Sequence, residues 1–295
     1  MKSPAGGEHL IAVRRALKRA APALARELPW IGCGDPWAIV VSEFMLQQTQ
    51  TSRVVDPWRR FLERFPTPTA CADAPLGEVL RLWEGLGFHR RAKFLHDTAL
   101  ALRDQWGGEV PREVADLRSL PGVGAYTANA IASFAFGAPT AVLDTNVGRI
   151  LARAVANRRL ASKEAQSIVD SLVPATNSAL FNQALLDLGA QFCTKRPRCA
   201  VCPLAGVCRW NIEGGDDPAP SSAGVSRAQS TFEGSARQLR GRILAVLRTG
   251  PIGEGELSER VAHDARLLEC LAGLEHDGLI TKRQRRWCLV GDGEG

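Results

Sequence analysis

Four cysteines within sixteen residues, Cys193, Cys199, Cys202 and Cys208, constrain how this chain can fold more than any other feature. Their C-x5-C-x2-C-x5-C spacing gathers four thiols on a short basic stretch, and such a quartet suits a zinc ion or an iron–sulfur centre. The loops between them must then close around that centre. About 70 residues earlier, Leu120-Pro121-Gly122-Val123-Gly124 joins two helical runs, a position from which a glycine-rich hairpin aims backbone N–H groups at a phosphate. The two features together imply a chain that grips DNA.

Size and composition agree with that implication. The 295 residues allow one large or two to three modest domains, enough for a buried core. No apolar run approaches the roughly 18 residues of a membrane-spanning helix. Met1 to Gly7 lacks the apolar stretch of a secretory signal, so a cytoplasmic location is expected, where thiols stay reduced and clustered cysteines act as ligands. Cys33, Cys71, Cys270 and Cys288 are scattered and read as structural or incidental. A net charge of +6 favours a polyanionic partner.

Apolar spacing predicts helices over 10–28, with Pro22 breaking or kinking the first, and over 38–50, 53–65, 75–85, 89–106 and 114–120. After the hairpin, helices are expected over 125–136, 146–156, 162–172 and 179–190. Residues 214–234 are rich in Gly, Pro, Ser and Ala and read as a flexible linker. Beyond them, three helices and a hairpin carrying Lys282, Arg283, Arg285 and Arg286 form a winged-helix pattern. That pattern serves either nucleic-acid contact or packing against a partner.

Several motifs occur in a family order. Ser42-Glu43-Phe44-Met45-Leu46-Gln47-Gln48-Thr49-Gln50, Trp83 to Phe88, the 120–124 hairpin, Leu143-Asp144-Thr145-Asn146-Val147 and the four cysteines resemble those of MutY-type adenine DNA glycosylases. These belong with endonuclease III among the helix-hairpin-helix glycosylases. The resemblance covers roughly residues 26–210. It implies an all-α, two-lobed helix-hairpin-helix glycosylase with DNA in the cleft, an iron–sulfur cluster lobe and a small, mostly helical, winged-helix-like C-terminal module. The implied division is 1–27, an N-terminal helix packing on the cluster lobe; 28–145, a six-helix domain with the hairpin; 146–212, the cluster domain; 213–235, a linker; and 236–295, the terminal module.

Cleaving a purine N-glycosidic bond requires protonating the base and stabilising a sugar with oxocarbenium character, work for two carboxyl groups in unlike environments. Glu43, in an apolar helix, is expected to stay protonated as general acid, whereas Asp144, before a helix N-terminus, is expected to stay ionised. Asp144 also reads as a plain N-cap of that helix. The resemblance implies that Glu43 protonates adenine at N7 and helps activate water. It further implies that Asp144 stabilises the cation and that Asn146 orients the water or Asp144. Tyr126 stands where bifunctional relatives carry a Schiff-base lysine, which implies a monofunctional enzyme with Tyr126 hydrogen-bonding Glu43.

Arg26, Leu28, Trp30, Leu46 and Asp187 match positions lining the family's adenine pocket, and Gln48 matches the residue probing the space left by the flipped base. Phe88 takes the wedge position, where tyrosine is frequent. Ile31 and Thr51 depart from the basic and aliphatic residues common at their positions. Gly122, Val123, Gly124 and Arg91 are expected to bind phosphate, within a wider footprint of Arg90, Lys93, Arg149, Arg153, Lys195, Arg196 and Arg198. The cysteines imply a [4Fe–4S] cluster, with zinc the alternative; the first spacing has five residues where the family usually has six. Many members of the family carry a nudix-like, β-rich terminal domain that reads 8-oxoguanine, whereas 236–290 reads as short and mostly helical. The expected partner is double-stranded DNA containing mispaired adenine, bound by a monomer, and no membrane. A mismatch thymine glycosylase and a non-catalytic DNA-binding protein are the alternatives.

Overall fold

The computed structural model of the chain describes residues 7–225 and 231–292. The expected N-terminal segment at 1–6, the linker at 226–230 and the module at 293–295 lie outside the described residues. Two compact units result: Met1–Gly34, Arg112–Val114 and Gly124–Ala228 form one, and Asp35–Pro111, Ala115–Val123 and Gln229–Gly295 form the other. Among the described residues no helix is long and apolar enough to cross a membrane.

The first unit packs around the Ser178–Gln191 helix, which lies against the Gly7–Leu24 and Thr145–Ile150 helices. Val13, Leu17, Ile150, Val155, Leu185 and Leu188 fill its core. Pro22 does not break the first helix; it sits in the last turn, and the helix ends at Leu24. A Cβ on Gly189 would lie 2.5 Å from that of Asn146, so glycine permits the close approach that sets the Asp144 turn against the long helix. The Thr145–Ile150 helix widens into a π turn over Leu151–Ala156. Asn182 buries its amide between Ser133 Oγ, at 2.9 Å, and the Thr140 carbonyl, at 2.8 Å, tying the Ala125–Phe136 helix to the unit.

The stretch 214–225, linker-like in composition, runs along this unit. Asp217 accepts two hydrogen bonds from Arg153, at 2.8 and 2.6 Å, and Ala223 N–H donates to the Leu160 carbonyl at 2.9 Å. Thr145 Oγ1 donates to the Gly224 carbonyl at 2.8 Å. Gly224 has a φ of +78°, and a Cβ there would stand 2.8 Å from the Asp144 carbonyl oxygen. Polar composition thus conceals a strap whose few specific contacts fix it.

In the second unit, the Pro36–Leu46 helix starts under an Asp35 cap on the Trp37 N–H, with Pro36 in its first turn. Every residue from Trp37 to Met45 is buried. Trp37 Nε1 donates to the Phe65 carbonyl at 3.0 Å, and Trp58 Nε1 to that of Ala38 at 2.9 Å. The helix stops at Leu46, short of the expected Gln50, and Gln48 takes a left-handed φ of 56°. The Val55–Arg64 and Arg90–Trp106 helices pack against it, and the Pro68–Ala72 and Leu76–Leu82 helices pack on the latter.

The C-terminal elements belong to this unit. Helix Ala236–Leu247, strand Ile252–Gly253, helices Glu254–Arg260 and Leu267–His276, and strands Ile280–Arg283 and Arg286–Leu289 follow in order. The strands form an antiparallel sheet in the order first, third, second. Gln284 and Arg285, with φ of 46° and 63°, make the two-residue hairpin turn. Gly77 N–H donates to the Val290 carbonyl at 2.8 Å, and Arg81 pairs with Asp292 at 2.6 Å. Arg248 Nε donates to the Leu80 carbonyl at 3.1 Å while Arg81 Nε donates to that of Arg248 at 3.3 Å.

Candidate active site and cysteine lobe

Glu43 belongs to the second unit. Its helix is nearly all apolar, and Glu43 as a whole is 6% exposed between Ser42 and Phe44, both fully buried. The end of this helix is held by Arg91. Its Nη1 donates to the Phe44 and Met45 carbonyls, each at 2.9 Å, and its Nη2 to Thr49 Oγ1 and the Leu86 carbonyl, each at 3.0 Å. Expected among the phosphate contacts, Arg91 is instead buried, and desolvation lowers its pKa to about 10. Only a guanidinium fork spans these oxygens. Arg91→Ala is expected to lower stability by about 2–4 kcal/mol in urea unfolding, with Arg91→Lys recovering little of it.

Asp144 belongs to the first unit and caps the Thr145–Ile150 helix. Its Oδ1 accepts the Val147 N–H at 2.8 Å and its Oδ2 the Asn146 amide, also at 2.8 Å. Asn146 Oδ1 in turn accepts from Arg149 Nη2 at 2.6 Å, and Arg149 Nε donates to the Cys193 carbonyl. A short chain of hydrogen bonds therefore links the carboxylate to the first cysteine. The residue is partly open to solvent, yet the protein around its carboxylate strips enough hydration to push the pKa upward. The Val147 N–H, the Asn146 amide and the Arg149 charge oppose that shift. The sequence revealed the cap but not the burial, so the expectation of an easily ionised group holds only in part.

Arg26 and Asp187 meet in the first unit, Nε to Oδ1 at 2.5 Å, and Gln183 also donates to Oδ1 at 2.9 Å. The second oxygen, Oδ2, is buried with no partner among the described residues. Trp30 is buried in this unit, while Leu28 and Tyr126 are partly exposed. Leu46 and Gln48 lie at and just beyond the end of the Glu43 helix, with Gln48 exposed.

In the hairpin, Val123 N–H bonds to the Leu120 carbonyl at 3.2 Å, and Gly124 N-caps the Ala125–Phe136 helix. Gly122 has a φ of +74°, and a Cβ there would lie 2.6 Å from Phe94 Cβ, so only glycine fits. Of the wider arginine footprint, Arg149 and Arg153 turn inward, whereas Lys195, Arg196 and Arg198 remain exposed.

All four quartet cysteines line one small cavity with Pro197, Leu204 and Trp210. Arg153 Nη1 donates to Cys193 Sγ at 3.4 Å and to the Thr194 carbonyl at 2.7 Å. Burial raises the thiol pKa values of Cys193, Cys202 and Cys208, the last to about 11. A metal binding there displaces those protons. Among the described residues, no three His, Cys, Asp or Glu side chains converge to hold a single metal ion.

Residues 41–175 match the HhH-GPD superfamily base excision DNA repair protein family. The chain is 43% identical over 278 residues to the adenine DNA glycosylase of Mycolicibacterium smegmatis, with 91% of this chain and 93% of that one aligned. Against the adenine DNA glycosylase of Mycobacterium tuberculosis H37Rv the identity is 42%, covering 91% and 90%. A thermostable thymine-DNA glycosylase superposes with a TM-score of 0.65 at 26% identity, over 71% of this chain and 99% of that one. An endonuclease III trapped as a covalent intermediate with DNA gives 0.57 at 25%, over 68% and 97%. The chain thus belongs to the adenine DNA glycosylases of the HhH-GPD superfamily of base excision DNA repair proteins.

Proposed function

We propose that the protein is a monofunctional DNA glycosylase that releases adenine mispaired with guanine or 8-oxoguanine, acting as a monomer on duplex DNA in the cytoplasm. The observation that carries this reading is the contrast between its two carboxyl groups. Glu43 is buried in an apolar helix, whereas Asp144 is held by a backbone N–H and the Asn146 amide. Burial favours the neutral acid at both, and at Asp144 the Val147 N–H, the Asn146 amide and the Arg149 charge work against it, toward the anion.

Glu43 gives its proton to N7 of the flipped adenine. The C1′–N9 bond then breaks with its electron pair passing to the base, and the Asp144 carboxylate stabilises the oxocarbenium-like sugar. Water adds at C1′, its proton returning to Glu43, which leaves an abasic site. Asp187 Oδ2 supports a pocket role with Arg26, Leu28 and Trp30, because a buried acceptor without a partner among the described residues suits an exocyclic amine. Gly122 and Gly124 offer backbone N–H groups to a phosphate, while the Val123 N–H, expected to do the same, closes the turn onto the Leu120 carbonyl. Tyr126 has no amine for a Schiff base.

Four thiols lining one cavity support a metal centre there, which we read as a [4Fe–4S] cluster with zinc as the alternative. Cys193, Cys199, Cys202 and Cys208 would hold it. It would supply a cross-link ordering the exposed Lys195, Arg196 and Arg198. The order of helices and strands after Ser235 supports a winged-helix-like module.

Single-turnover cleavage of duplexes with A opposite 8-oxoguanine, A opposite G and T opposite G tests the reading, with borohydride present in a parallel reaction. Adenine release without a trapped protein–DNA adduct is expected. Release of thymine alone would move the chain to the thymine enzymes that its fold also matches. No release would leave a DNA-binding protein.

A further inference from the structure

The strap at 217–224 lays three contacts on one short piece of chain. Asp217 accepts its two hydrogen bonds from Arg153, and a Cβ on Gly148 would stand 2.5 Å from the Ala223 carbonyl oxygen. Thr145 Oγ1 donates to the Gly224 carbonyl at 2.8 Å. Residue numbers rise along the strap as they fall along its partner, so the strap runs antiparallel to the segment that Asp144 opens.

That segment has little brace of its own. The Thr145–Ile150 helix has only six residues before it gives way to the π turn of Leu151–Ala156, and so short a helix is held by packing more than by its own hydrogen bonds. Two other elements press on its first turn. A Cβ on Gly189, in the Ser178–Gln191 helix, would stand 2.9 Å from the Asn146 carbonyl oxygen, and one on Gly224, at a φ of +78°, 2.8 Å from that of Asp144. The Asp144 carbonyl also accepts the Gly148 N–H at 2.8 Å, which opens the helix. Glycine at each close approach leaves no side chain that could yield, so backbone meets backbone.

The strap is fastened away from the turn as well. Arg153 is 2% exposed, donates to the Thr194 carbonyl at 2.7 Å and lies 5.3 Å from the Trp210 ring centre. Ser222 is buried, its Oγ donating to the Pro218 carbonyl at 2.7 Å and accepting the Leu160 N–H at 3.2 Å. Both Asp144 carboxylate oxygens are bonded inside the turn, to Val147 and Asn146, so a shift of the turn carries the carboxylate with it.

We propose that the 217–224 strap is a positioning element for Asp144, anchored on Arg153 and Leu160 and acting through Thr145 and Gly224. This inference rests on the glycosylase reading above, in which that carboxylate must face the developing cation. A misplacement of about 1 Å there can cost on the order of 10²-fold in rate.

The test follows, in the full chain, single-turnover adenine release from an A opposite G duplex, duplex affinity by anisotropy, and hydrogen–deuterium exchange of peptides within 143–150. Thr145→Val, which removes the hydroxyl at similar volume, should slow release about tenfold, and Gly224→Ala, which drives a methyl group at the Asp144 carbonyl, about 10- to 100-fold. Affinity should stay within about threefold of the parent, and Thr145→Ser, which keeps the donor, should restore the rate to within about threefold. Amides at 143–150 should exchange about tenfold faster in both slowed variants, while those around Leu185 should not change. In an Asp144→Asn background neither substitution should slow release further, because the group that they misplace is already gone. Losses that add to that of Asp144→Asn, or parent-like rates in both variants, would overturn the proposal. Faster exchange at 143–150 in a chain that releases no adenine would keep the strap's hold on the turn and sink the reaction; adenine release with exchange unchanged in both variants would do the reverse.

Discussion

Glu43→Gln is expected to slow adenine release by about 10²- to 10⁴-fold in single turnover while leaving duplex affinity within a few-fold of the parent. The expectation follows from position. Trp58 and Arg91 hold the helix by the Ala38, Phe44 and Met45 carbonyls and Trp37 ties it to the Phe65 carbonyl, and none of these bonds passes through the glutamate. Glutamine keeps the volume and polarity of the side chain, and the buried surface of Phe44 and Met45 is undisturbed. What disappears is a transferable proton. A binding defect of similar size to the rate defect would mean that the residue organises the fold rather than the chemistry. A rate within threefold of the parent would remove Glu43 from the mechanism.

The motifs that carry this chemistry were legible because each depends on residue type at fixed spacing. A carboxyl in an apolar helix, an Asp before a helix start and glycines at a tight hairpin leave marks that survive without coordinates. Glu43 and Asp144 accordingly stand where that reading puts them, in a buried helix and at an N-cap, while the positive φ of Gly122 came only with the structure. Arg91 shows where such reading stops. An arginine two residues from a basic neighbour looks like a phosphate ligand, and nothing local reveals the five oxygens folded around it. The 214–225 strap was hidden for the same reason, since its partners Arg153, Leu160 and Thr145 lie tens of residues away in the chain. Gln48 and Phe88 adopt positive φ without being glycine, and only the tertiary surroundings dictate that.

Asp144→Asn should separate activity from stability. Asparagine caps helices about as well as aspartate, so the Val147 contact survives the change. The carboxyl's pKa in the folded protein lies above its ordinary value, chiefly through burial. Ionising it near neutrality therefore costs folding free energy. The stability it contributes is fully present below the unfolded value of about 4 and is lost as pH rises through the folded value. Asp144→Asn is thus expected to melt at a higher temperature than the parent at pH 7, and the gap should close as the pH approaches about 4. Adenine release should fall by about 10²- to 10³-fold at the same time, because no anion remains to face the developing cation. In the parent, the rate should decline on acidification at a higher pH than an ordinary carboxylate would give. Melting curves and single-turnover rates collected between pH 4 and 8 provide the check. A variant less stable than the parent at pH 7 would show that the carboxylate's hydrogen bonds outweigh its burial. The site would then favour the anion at rest, before any positive charge develops on the sugar.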